Sequence, residues 1–254
     1  MFPGALWNGG AANISGTISS NLIKRYIDYY NKEQHIPLTF NFTNKLITKE
    51  QCYDNYCNII AELGNNGMNT ILCCEGELES YLRATYKNYK FSRSIVDSEN
   101  VPYCFQSKFG EYEVSVLQRA KNNQWDYLDN IPQVYRSRIE FLCNDLCPDN
   151  CPYIYTHYNR LAQKQIDMSE LDPPSIECKM SITRGPFSYK FRTTQKNYIS
   201  REMIDRDYLP KGFCKFKCSG RFSLPTIILN LIYYLVAPEY QPDMLNILMR
   251  AIIK

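Results

Sequence analysis

The chain has 254 residues, enough to bury a large core as one domain. Its 29 basic and 26 acidic residues leave a formal charge of +3, too balanced to argue for nucleic-acid binding by charge alone. No apolar stretch reaches the roughly 18–20 residues that span a bilayer. The nearest, Leu224 to Val236, is too short and contains Asn230 and two tyrosines, so it reads as a buried helix and no membrane partner is expected.

A Gly/Asn-rich loop opens the chain, and Ser19 or Ser20 caps a helix over 21–31, with Leu22, Ile23, Tyr26 and Ile27 on its apolar face. Pro37 introduces a strand at 38–42. Thr48 precedes a helix through Tyr53, Tyr56, Ile59, Ile60 and Leu63, which Gly64 to Gly67 ends. Strands are expected at 68–74, 91–96, 112–117, 139–143 and 213–218. Helices are expected at 78–86, near 125–128, and at 153–163, 199–208, 224–236 and 244–253. Residues 164–198 read as an irregular insertion carrying Pro173-Pro174 and Pro186, placed to cover a site.

This alternation implies a parallel sheet covered by helices. No glycine-rich dinucleotide fingerprint follows the first strand, which favours a closed (β/α)8 TIM-like barrel over an open nucleotide-binding sheet. The chain opens on what reads as a strand-to-helix loop, so the barrel is expected to lack its first strand. Domain organisation is read as a single barrel over 1–254. An uncovered sheet edge would be met by a helix, the chain end or a second copy, which leaves a homo-oligomer open. In such a barrel the active face lies at the strand C-termini. Thr43-Asn44, Cys73-Cys74, Asn144 to Cys151 and Ser219 to Arg221 all fall there.

The cysteines carry the chemistry. There are eleven, an odd number, and the N-terminal residues lack the charged and apolar regions of a secretory signal. Free thiols in a reducing, cytoplasmic setting are therefore expected over a disulfide framework. Cys143, Cys147 and Cys151 recur at four-residue intervals, and proline follows the last two. Thiolates bind soft metals, and four of them hold zinc or an iron–sulfur cluster. Cys147 and Cys151 are the first candidates and Cys178 the third. The fourth is Cys143, Cys218, Cys214, Cys73 or Cys74. Buried, inert thiols are the plain alternative. The spacing misses the Cys-x3-Cys-x2-Cys of radical SAM enzymes by one residue. There is no P-loop and no HExxH, and only His35 and His157 are available for a protease triad.

His157 lies two turns into the helix after the cysteine loop and is a candidate acid–base group. Lys217 and Arg221 flank the last strand end. Arg221 suits a carboxylate or phosphate clamp. Asn44 and Asn144 end strands, where they either contact substrate or cap loops.

Phe216-Lys217-Cys218-Ser219-Gly220-Arg221 resembles the "FKIEGR" strand end of the collagenase-like peptidase family. Cys147-Pro148-Asp149-Asn150-Cys151-Pro152, with His157-Tyr158 behind it, resembles the "C-x-x-x-C-P-x-R-x-x-H-Y" segment of uncharacterised clostridial and gut-bacterial relatives. Trp7-Asn8-Gly9-Gly10 and Phe42-Thr43-Asn44 resemble further short motifs of those relatives. The resemblance implies a TIM-like barrel and a [4Fe–4S] cluster on four cysteines. It also implies oxygen-independent hydroxylation of an RNA base or a small aromatic acid, so the implied partner is RNA or a small-molecule substrate. Ser219 stands where the family has a glutamate, and the arginine after Cys-Pro is replaced within Tyr153-Ile154-Tyr155. Both departures favour a second reading: a non-catalytic accessory protein with a structural metal or none.

Overall fold

The structure, a computed structural model, describes residues 6–9, 19–98, 109–145, 147, 151–167, 193–218 and 224–252. The chain forms two compact units, one from residues 1–118 and 150–182, the other from 119–149 and 183–254.

The first unit is built on four short parallel strands: β1 (Thr39–Phe42), β2 (Thr70–Cys73), β3 (Lys90–Arg93) and β4 (Val114–Val116). Phe40 stands opposite Ile71, Ile71 opposite Phe91, and Ser92 opposite Val114. Three of the four residues in each of β1, β2 and β3 are buried. That pattern belongs to parallel strands covered on both faces, not to an alternating strand with one wet face. Helices α1 (Ser20–Asp28), α2 (Asn55–Leu63) and α3 (Glu77–Thr85), the turn α4 (Ile95–Ser98) and the long helix α7 (Ile154–Asp167) belong to this unit. Its core gathers Trp7, Phe40, Phe42, Ile60, Ile71 and Leu82. The Trp7 and Phe42 rings meet edge-on at 5.2 Å.

The second unit carries β5 (Ile139–Leu142) and β6 (Lys215–Lys217), paired in parallel with Phe141 opposite Phe216. Around them lie the turns α5 (Trp125–Leu128) and α6 (Gln133–Arg136), the turn α8 (Arg201–Met203), and the helices α9 (Leu224–Leu235) and α10 (Gln241–Ile252). Tyr208, Phe141, Phe213 and Phe216 form an aromatic cluster with centroid separations of 4.9–6.2 Å.

The α/β class and the parallel sheet stand as expected. Six parallel strands flanked by helices are consistent with part of a (β/α) barrel. The complete eight-stranded barrel is corrected: six strands are present among the described residues. Loop residues 7–9 pack at the C-terminal end of β1. The Asn44 backbone amide donates to the Trp7 carbonyl (2.9 Å), the Asn41 side-chain amide to Asn8 Oδ1 (3.0 Å), and the Gly9 N–H to Thr43 Oγ1 (3.3 Å). A Cβ on Gly9 would stand 2.8 Å from Asn44 Cα, so the close approach needs glycine.

Three local differences have identifiable causes. The helix expected from Thr48 splits at Asp54, whose carboxylate caps α2 by accepting from Cys57 N (2.7 Å) while its own ψ is extended. Helix α7 runs to Asp167, four residues into the expected irregular insertion; most of that insertion, 168–192, lies outside the described residues. The helix expected over 199–208 is one α turn that widens into a π turn at Ile204–Tyr208. A 3-10 turn over Leu209–Lys211, with Pro210 in it, follows, and Gly212 ends the segment with φ +90°.

Candidate functional site: a thiol pair at the ends of two strands

The register of β5 and β6 sets which residues meet at their C-terminal ends. Leu142 stands opposite Lys217, so the next residues, Cys143 and Cys218, face each other across the strand ends. The ladder reaches this far, because Cys143 N donates to Lys217 O at 3.0 Å. Residues opposite each other in neighbouring strands point to the same face. The Cys143 thiol is directed at the Phe141 carbonyl at 3.9 Å, and the two thiols are close enough to influence each other's titration.

Their environments differ. Cys143 is fully buried and Cys218 is exposed. The Cys143 thiol is pushed far above its ordinary value, first by the neighbouring Cys218 thiol and then by burial. The Cys218 thiol is lowered by the neighbouring Cys143 thiol. Tyr234 sits close by. Burial raises its hydroxyl, and the neighbouring Cys143 and Tyr198 raise it further. That hydroxyl donates to the Ile199 carbonyl (2.8 Å), and Ile199 N donates to the Cys143 carbonyl (2.9 Å). Both backbone polar groups of Cys143 are thus fixed.

The loop after β5 is held by amides. Asn122 Nδ2 donates to the carbonyls of Leu142 (2.9 Å) and Asn197 (2.8 Å), and Asn197 Nδ2 donates to the Cys147 carbonyl (3.1 Å). Arg119, 2 % exposed, pairs with Asp145 at 3.1 Å. A buried pair of this kind fixes a loop more surely than it stabilises the fold.

The strand ends of the first unit carry a second polar group of residues. Arg93 pairs with Asp97 at 2.6 Å and lies 3.8 Å from Glu75. Cys74 donates to the Thr43 carbonyl at 3.3 Å, and burial drives its thiol up. Lys45 lies 4.3 Å from the centre of the Tyr155 ring, and partial burial lowers its ammonium.

The expected site residues are not all brought together. Cys143 meets Cys218. Cys147, partly exposed, belongs to the same unit, and Cys151, also partly exposed, belongs to the other. Cys214 is exposed and donates to the Ser137 carbonyl (3.8 Å); Cys73 and Cys74 are buried. Cys178 and Arg221 lie outside the described residues. Lys217 ends β6 with its ammonium 3.8 Å from the Glu140 carboxylate. His157 is half-buried on α7 and stacks beside Tyr158. Asn44 is buried, donates to the carbonyls of Leu6 (2.8 Å) and Ala162 (3.1 Å) and accepts from Leu46 N (3.0 Å), which is a loop-capping arrangement. Asn144 is buried as well.

Among the described residues no three His, Cys, Asp or Glu side chains converge as a metal site would require. No helix among them is long and apolar enough to cross a membrane. The strand-end residues Lys45, Glu75, Arg93 and Asp97 were missed from sequence. The available signal was positional: each lies at or within a few residues of the C-terminal end of a parallel strand. Compared with protein-family models, curated proteins and solved structures, the chain matches none.

Proposed function

We propose that this protein holds a soft metal centre on thiolates of its second unit, with a [4Fe–4S] cluster as the first reading and zinc as the alternative. The observation that carries the proposal is the register that sets Cys143 opposite Cys218 at the ends of adjacent strands. Thiols on facing residues of neighbouring strands, about 4.8 Å apart at the α-carbons, can reach the separation of roughly 3.8 Å that two sulfurs keep around one tetrahedral ion. The donors therefore fit one edge of a thiolate shell. Cys147, in the same unit, is the candidate for a third donor.

When bound, a cluster supplies one-electron transfer, which oxygen-independent hydroxylation requires. The chain's own residues do the rest. The amides of Asn122 and Asn197 hold the loop that carries Cys147. The bonds at Cys143 N and O fix the buried sulfur. Lys217, and Arg221 beside it in sequence, are the groups suited to an anionic substrate. The resemblance to the collagenase-like peptidase family supports RNA or a small aromatic acid as that substrate, and His157 as an acid–base group.

Anaerobic purification followed by iron, sulfide and zinc analysis tests this reading. About four irons with matching sulfide and a brown colour are expected, and Cys143→Ala should abolish them. About one zinc would place the chain in the structural-metal reading. A colourless, metal-free chain that folds normally would overturn both. That last outcome is the one the accessory reading expects, and Ser219, in place of the family's glutamate, favours it.

A further inference from the structure

We infer that Cys143 and Cys218 form a reversible dithiol that closes to a cross-strand disulfide by exchange with a low-molecular-weight disulfide such as oxidised glutathione. This goes beyond metal binding and stands without it, because it rests on strand register alone.

The geometry is specific. Opposite residues in neighbouring strands have α-carbons about 4.8 Å apart, inside the 4.4–6.8 Å that disulfides span. The pairing of Leu142 with Lys217 and the bond from Cys143 N to Lys217 O place Cys143 and Cys218 in that relation. By that register their side chains share a face. Rotation of the two side chains brings the sulfurs to bonding distance, with no movement of backbone required.

The other thiols of this unit lack such a partner relation in the ladder. Cys214 precedes β6 and donates to the Ser137 carbonyl, and Cys147 lies beyond β5 in the amide-held loop. The asymmetry of the pair gives the exchange an order. Exposed Cys218 is reached first, and buried Cys143 resolves it.

The step balances. The Cys218 thiol releases its proton to solvent, and the thiolate attacks one sulfur of the external disulfide. The external S–S bond breaks, one thiolate leaves, and Cys218 carries a mixed disulfide. Cys143, losing its proton, attacks the Cys218 sulfur and expels the second thiolate. Two protein thiols are oxidised by two electrons, and one external disulfide is reduced to two thiols.

The test uses the full chain, reduced and stripped of metal with a chelator, then exposed to oxidised glutathione and alkylated. Non-reducing peptide mass spectrometry should find the Cys143 and Cys218 peptides joined, and a denatured thiol count two below the eleven of the reduced chain. In Cys143→Ala, glutathione should remain on Cys218 at an occupancy at least about tenfold above wild type. Cys218→Ser, a surface change, should fold normally and form no cross-link. Equal glutathionylation of wild type and Cys143→Ala would overturn the inference, and so would a bond from Cys218 to any other cysteine. Metal content is measured separately on untreated protein, so a metal-free chain that still forms the disulfide sinks only the metal reading.

Discussion

Single amide side chains carry much of the local order. Asn123 adopts a left-handed backbone at φ +62°. Its Nδ2 donates to the carbonyls of Lys196 (2.8 Å) and Tyr198 (2.9 Å), and its Oδ1 accepts from the Tyr208 hydroxyl (2.7 Å). Asn123→Ala should cost roughly 2–4 kcal/mol in urea unfolding, from the lost bonds and the strained φ. Asn123→Gly should recover about 1 kcal/mol of that, because only the backbone term is relieved. In the first unit Asn69 is fully buried. It donates to Asn31 Oδ1 (2.8 Å) and the Gly64 carbonyl (2.9 Å) and accepts from Leu38 N (2.8 Å), tying the entries of β1 and β2 together. At both positions asparagine has a definite structural use. Lys45 gives a pH expectation. Burial lowers its ammonium in the folded state, so the unfolded chain binds more protons between the folded and unfolded values. Stability should therefore rise with pH through that window, up to the ordinary lysine range near 10.4. Lys45→Met should flatten that rise in a denaturation series.

At the scale of elements, the β5–β6 pair is held from beneath by aromatic rings. Phe141 is fully buried and touches Tyr208, Phe213 and Phe216. Phe141→Ala should destabilise by about 3–5 kcal/mol, read as a lower urea midpoint at an unchanged slope. All six strands were legible in sequence as short segments between turn residues, four of them largely apolar and β3 and β6 built around single phenylalanines. Helix ends were less so. Asp54 lies within a stretch whose periodicity suggests one helix, and only its capping bond reveals the break. The π turn before Tyr208 has no local signature, because it depends on what Tyr208 packs against. The candidate site was half legible. Thiols gathered at strand ends can be read from spacing, and Cys143 and Cys218 were both in view as ligands. Their partnership was not, since register links residues about 75 positions apart and no spacing rule reaches that far.

At the scale of the whole molecule, the first unit pairs its strands in chain order, β1 with β2, β2 with β3 and β3 with β4. The second unit is discontinuous, because residues 150–182 belong to the first. The two tryptophans fall one in each unit, Trp7 in the first and Trp125 in the second. Trp7 is fully buried, and Trp125 lies 4.8 Å from Tyr208.

That discontinuity bears on how the chain reaches its final form. Successive strands of the first unit are only about 20–30 residues apart, so loop closure between them is cheap in entropy and early collapse of that sheet is favoured. The partner of β5 leaves the ribosome only after a long intervening stretch, so the second unit must wait half-made with Phe141 uncovered. Refolding followed by Trp7 alone, in Trp125→Phe, should outpace refolding followed by Trp125 alone, in Trp7→Phe. While it waits, the nascent second half is the natural target for holdase chaperones and for premature aggregation.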